Sequence, residues 1–122
     1  MARHLAVGDT SGPIPIASAS YYNPTGVLLA PGEAYEIAAG DSRWVDWYLA
    51  SRAHGRIGPR LNQSLAHWAL RCKQGRWFQL IGAVGCSDEN LFPIGMHAAW
   101  TYTGQGADAE PELQLFANDA WF

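Results

Sequence analysis

The run Gly75-Arg-Trp-Phe-Gln-Leu-Ile-Gly-Ala-Val-Gly85 constrains the fold more than any other stretch of the chain. Trp77, Phe78, Leu80 and Ile81 crowd together, and aromatic and branched side chains suit a pleated, half-buried surface. Glycines at 75, 82 and 85 bracket the run, so it reads as a strand of about 6–8 residues. Successive side chains on a strand point to opposite faces. Trp77 and Phe78 therefore demand cover on both sides, which predicts an interior strand with other short strands packed around it.

The 122 residues suit one domain with a real core. With 48% hydrophobic and 16% charged residues, the composition excludes disorder. Seven of the eight basic residues lie between Arg43 and Arg76, yet the net charge is −3. A net acidic chain argues against general nucleic-acid binding. No apolar run approaches the roughly 18 residues of a membrane span. The start lacks the apolar core, about 7–15 residues long, of a secretory signal. These features predict a cytoplasmic protein or one exported by another route.

Turn chemistry divides the rest. Residues 1–13 read as a loose arm. Pro13–Ser20 alternates as an edge strand, because Pro13 and Pro15 lack amide donors. Tyr22-Asn-Pro-Thr-Gly26 reads as a turn, Gly26–Ala30 as a strand and Pro31-Gly32 as a turn. Glu33–Gly40 alternates, with Tyr35, Ile37 and Ala39 on one face. Asp41–Pro59 reads mainly as a long loop. Leu65–Lys73 is expected to form a hairpin with the opening stretch. Cys86–Asn90 is a polar loop and Phe92–Gly95 a short extended piece. His97–Thr103 puts Ala98, Trp100 and Tyr102 on one face, and Glu112–Ala117 puts Leu113, Leu115 and Ala117 on one face. Seven or eight short antiparallel strands without a long helix predict an all-β sandwich or jelly roll.

Several of these pieces, taken in order, resemble one family. They are Thr25-Gly-Val-Leu-Leu-Ala-Pro-Gly-Glu-Ala-Tyr-Glu-Ile-Ala-Ala-Gly40, Trp44-Val-Asp46, Leu70-Arg-Cys72, Gly75-Arg-Trp-Phe-Gln-Leu-Ile-Gly82, Phe92-Pro-Ile-Gly95 and Leu113-Gln-Leu-Phe-Ala-Asn-Asp119. The pattern is similar to the bacterial galactophilic lectins, and their order over residues 20–119 carries the likeness more than any one motif. The resemblance implies a galactose-binding-domain-like β-sandwich that binds galactosides through calcium, without catalysis. It assigns the metal to Asp119, with Asn118 beside it and a backbone carbonyl near Asp46 or Trp47. Trp47, His54 and Asp119 would meet the sugar. The chain stops at Trp121-Phe122, short of the family's asparagine-bearing loop and last strand. That implies an incomplete calcium site and an open sheet edge. The alternative reading is a β-sandwich assembly protein with a degenerate sugar site, forming homo-oligomers through that edge and the terminal aromatic pair.

Other constellations have plainer readings. The four histidines, His4, His54, His67 and His97, show no metal-ligand spacing. His54, in a Gly-rich loop, is the best functional candidate among them. Cys72 and Cys86 lack an orienting base or nucleophile turn, so they read as buried free thiols, with a disulfide as the alternative. Asp41, Asp46, Asp88 and Glu89 read as solvated loop acids. Trp44, Trp47 and Tyr48 offer either a sugar-stacking platform or packing over the end of the sandwich.

Overall fold

The structure is a computed structural model that describes residues 2–17, 19–39, 43–46, 49–52, 70–75, 79–104 and 111–118, the segments 43–46 and 49–52 by backbone alone. Among these residues it is all-β. The strands are β1 (Arg3–His4), β2 (Asn23–Leu28), β3 (Ala34–Ala38), β4 (Arg43–Asp46), β5 (Leu49–Arg52), β6 (Leu80–Val84), β7 (Phe92–Pro93), β8 (His97–Thr101) and β9 (Glu112–Ala117). One five-stranded sheet runs β1-β2-β9-β6-β7, and β3-β8 and β4-β5 form two-stranded sheets. No helix among the described residues is long and apolar enough to cross a membrane.

The opening stretch supplies β6, which is antiparallel to β9 on one side and to β7 on the other. Every residue of β6 is buried. Leu80 and Val84 face one cluster with Leu113 and Leu115 of β9, and Tyr35, Ile37, Ala98 and Trp100 pack against it. The alternation read in β3, β8 and β9 thus turns the β3-β8 pair onto one face of the five-stranded sheet. Ile81 and Ala83 join Phe116 and Cys72 in a second cluster, with Tyr22 and Leu91 packed on it. The expected double-sided cover is present. Arg76–Phe78, which prompted that expectation, lie outside the described residues.

Gly82 has no tolerance for a side chain. A Cβ there would collide with the Phe92 ring at Cζ. The Phe92 ring in turn stacks on Trp100 at 4.0 Å between centroids, with the planes 8° apart. The glycine thus lets an aromatic pair close over the backbone of β6, joining the β3-β8 pair to the larger sheet.

Several expected boundaries change. Pro13–Ala17 forms no strand. Instead the Asn23 side chain catches Ala17: the Ala17 amide donates to Oδ1 at 2.8 Å, and Nδ2 donates to the Ala17 carbonyl at 3.1 Å. The expected turn at 22–26 is the start of β2, because this asparagine and Thr25 supply the bonds that turn-like residues cost a ladder. The register between β2 and β9 slips by two residues between Pro24 and Leu28, where Gly26 adopts φ +77°. The bulge needs that glycine. Its displaced groups are repaired by side chains: Thr25 Oγ1 donates to the Leu113 carbonyl at 2.7 Å and accepts from the Val27 amide at 3.1 Å. The Gly26 amide donates to Glu112 Oε2 at 2.9 Å.

The arm is not loose throughout. Arg3 and His4 pair in parallel with Val27 and Leu28, an exception to the expected antiparallel pattern. The expected loop at 41–59 contains the antiparallel pair β4-β5, in register from Arg43↔Arg52 to Asp46↔Leu49. Of the expected hairpin strand Leu65–Lys73, residues 65–69 lie outside the described residues; Arg71–Gly75 is turn structure closed by the Gly75 amide donating to the Cys72 carbonyl at 3.1 Å.

Candidate functional site

The residues assigned to ligand and metal divide sharply. Trp47, His54 and Asp119 lie outside the described residues. Asp46 is the last residue of β4, opposite Leu49. Asn118 alone is placed with its side chain, directly after β9, and it is completely buried. Its amide donates to the Gln79 carbonyl at 2.9 Å, extending the β9–β6 ladder by one step. Its side chain then imitates a peptide. The Cys72 amide donates to Oδ1 at 3.0 Å, and Nδ2 donates to the Cys72 carbonyl at 2.9 Å. The primary amide thereby satisfies two buried backbone groups of the 70–75 turn. This side chain holds the scaffold immediately before Asp119. Among the described residues no group of three or more His, Cys, Asp or Glu side chains could hold a metal ion.

Cys72 and Cys86 are both free thiols; Cys72 is buried and Cys86 exposed. Burial pushes the Cys72 thiol up, against the lowering effect of bonds from the Gln74 and Gly75 backbone, so it stays protonated.

The densest polar constellation is one that sequence reasoning passed over. The Arg71 side chain is only 3% exposed. Its guanidinium lies between two rings, with Cζ 3.4 Å from the Tyr21 centroid and 3.5 Å from that of Phe116. Nη1 donates to the Tyr21 carbonyl at 2.6 Å. Nε and Nη2 grip Asp88 in a two-pronged pair, at 3.1 Å to Oδ2 and 2.8 Å to Oδ1. The Tyr21 hydroxyl also donates to Oδ2, at 3.1 Å, and the Tyr22 hydroxyl to Oδ1, at 2.5 Å. Each carboxylate oxygen therefore accepts two bonds. Asp88 has no ready capacity for a substrate and is no general base. The knot fastens the Cys86–Asn90 loop and the 70–75 turn to the strand entering β2. Asp88 stands far from both tyrosines in the chain, so no local spacing announces it; the adjacent Tyr21-Tyr22 pair is the only sequence sign.

Burial alone raises the Asp88 carboxyl. Bonds from Arg71 and Tyr22, the Arg71 charge and the Tyr21 bond together outweigh it and hold the group below the usual carboxylate range. The native state thus binds this proton more weakly than the unfolded chain. The resulting stability is fully present above the unfolded value, about pH 4, and is lost as pH falls through the depressed native value. The urea midpoint should therefore drop as the pH falls below about 4, and Asp88→Asn should flatten that part of the profile. An unchanged acid profile in Asp88→Asn would contradict the knot. Burial, and then Asp88, raise Tyr22 well above a free phenol, so its hydroxyl remains a donor throughout this range.

Comparison with protein-family models, with curated proteins and with solved structures gives no match to this chain.

Proposed function

We propose that this chain is a non-enzymatic, lectin-like carbohydrate-binding module that takes a galactoside at the end of β9 in a β-sandwich. The observation that carries this reading is the buried clamp of Asn118 on Cys72, at the position preceding Asp119. Asp119 is the residue that matches the metal-binding aspartate of the galactophilic lectins. Asn118 fixes where the chain leaves the sheet, which is what a ligand-bearing residue at a strand end requires. Pieces carrying the resemblance also lie in the hydrophobic interior: Leu29, Leu80, Ile94, Leu113 and Leu115 all belong to the main buried cluster.

In this reading calcium, with its preference for about 6–8 oxygen ligands, is held by Asp119 and a backbone carbonyl near Asp46 or Trp47. It would supply a charge to which sugar hydroxyls bind. Asn118 secures the end of β9 and is not itself a ligand in this reading, because its amide oxygen already accepts from Cys72. Trp47 and His54 are assigned to the sugar itself.

A ligand that binds only the folded state raises the melting temperature by mass action, worth about 2.7 kcal/mol at a hundredfold excess over Kd. Methyl β-galactoside and calcium together should raise it, and chelation should reverse the rise. Melting that ignores both additions would remove this reading.

A further inference from the structure

The arm of residues 2–17 meets the body at two places of unequal strength. At one end β1 pairs only Arg3 and His4 with Val27 and Leu28. The pairing is parallel, the weaker geometry per residue, and both side chains are exposed, so they add no burial. At the other end Ile16 packs on the main buried cluster. Ala17 shares its two bonds with Asn23, which is 6% exposed and whose Nδ2 also donates to the Leu115 carbonyl at 3.0 Å. That asparagine ties the arm to β9.

Between the two places, residues 6–13 are exposed. Their hydrogen bonds are local: the Asp9 amide donates to the Ala6 carbonyl at 2.9 Å, and the Ser11 hydroxyl to the Gly12 carbonyl at 2.9 Å. A gap of about 460 Å³ lies between Ser11 and residues 13–15 on the arm and Pro24, Gly26 and Glu112 on the sheet. The arm therefore crosses this side of the sheet without packing tightly on it. Ordering a residue costs at least what one net hydrogen bond returns, so two pairings hold a long exposed stretch only weakly.

We infer that residues 2–15 form a hinged strap, which lifts from the sheet at β1 while Ile16, Ala17 and Asn23 hold its other end. Lifting uncovers the outer edge of β2 at Leu28 and leaves the core intact. Backbone groups alternate in direction along a strand. The Leu29 amide donates to the Pro111 carbonyl, on the β9 side, so the Leu28 amide points towards β1. Along the same strand Pro24 has no amide, and the Gly26 amide is taken by Glu112. The strap covers the donor that those two devices leave at Leu28, and an uncovered strand edge is a place where other chains pair. The strap does not depend on the galactoside reading.

The test is amide hydrogen exchange of the ¹⁵N-labelled full chain, read residue by residue by NMR and corrected for intrinsic rates. Leu28 and Leu29 are neighbours that report on opposite sides of one strand. The Leu28 amide should be slowed only about tenfold to a hundredfold relative to an unstructured chain, and the Leu29 and Ala17 amides at least about a hundredfold more than that. Arg3→Pro takes an amide from β1 and should abolish the slowing at Leu28, with Leu29 and Ala17 unchanged. Equal rates at Leu28 and Leu29 would mean that the strap parts only with the core, and an unslowed Leu28 that it never docks. Ala17 exchanging as fast as Leu28 would mean that there is no hinge. Each of these three results overturns the inference on the unaltered chain, so the answer stands even if the variant fails to fold.

Discussion

Arg71→Ala should lower the stability of the fold by about 3 kcal/mol, measured as a shift in urea midpoint at neutral pH. Three losses combine in that figure. The two-pronged pair with Asp88 disappears and leaves a carboxylate that is 31% exposed, so water compensates it in part. The stacking of the cation between Tyr21 and Phe116 disappears, and such contacts contribute about 1–2 kcal/mol when desolvated. The Tyr21 carbonyl loses its charged donor. Against a typical total of about 5–15 kcal/mol, this is a large fraction. Arg71→Lys should restore little, because an ammonium keeps the charge but neither the fork nor the flat surface. A midpoint unchanged in Arg71→Ala would mean the knot does not hold the loops together.

The second large effect is expected at Asn118. Asn118→Asp retains an oxygen for the Cys72 amide but replaces the donor Nδ2 with a second acceptor facing the Cys72 carbonyl. It also puts a carboxylate where the side chain is completely buried. The Cys72 carbonyl keeps the Gly75 amide as a donor but then faces a second oxygen, and a buried charge left without a partner costs about 3–5 kcal/mol, so a loss of at least about 3 kcal/mol is expected. The substitution also separates two roles for this residue. Aspartate is the better calcium ligand, so a side chain that ligated the ion would tolerate or welcome the change. The clamp predicts instead that calcium does not restore the melting temperature of Asn118→Asp. Full restoration by calcium would assign the side chain to the metal.

The pattern of the chain revealed those strands whose faces differ. In β3 and β8 the inward residues Tyr35, Ile37, Ala98 and Trp100 alternate with exposed ones, and period two is a direct sign of a strand with one face on a core; β9 shows the same period in Leu113 and Leu115, although it is buried on both faces. Where that sign is absent the reading erred. Asn23, Pro24, Thr25 and Gly26 carry turn chemistry, yet they belong to a strand because a bulge uses them and side chains repair its ladder. Trp44 and Val45 are adjacent, so β4 lacks alternation and merged into an expected loop. Arg3 and His4 join the sheet through backbone pairing with β2, which no side-chain pattern records.

The same limit governs the polar groups. Asn118 was noticed for its position beside Asp119, but its work for the Cys72 peptide depends on a turn 46 residues away. Arg71 and Asp88 read as ordinary surface charges in the sequence because they stand 17 positions apart. Their meaning comes from two rings and two hydroxyls that tertiary structure brings to the same place. Conversely, the assignment of sugar contacts to Trp47, His54 and Asp119 rests on the sequence alone, and all three lie outside the described residues.

Isothermal titration of methyl β-galactoside into the protein in calcium-containing buffer, alongside Asp119→Ala, decides whether a galactoside is held at Asp119. Saturable heat is expected with the unaltered chain and none with Asp119→Ala, whose melting temperature should stay close to that of the parent. No heat from the unaltered chain, or equal heat from both, would contradict it.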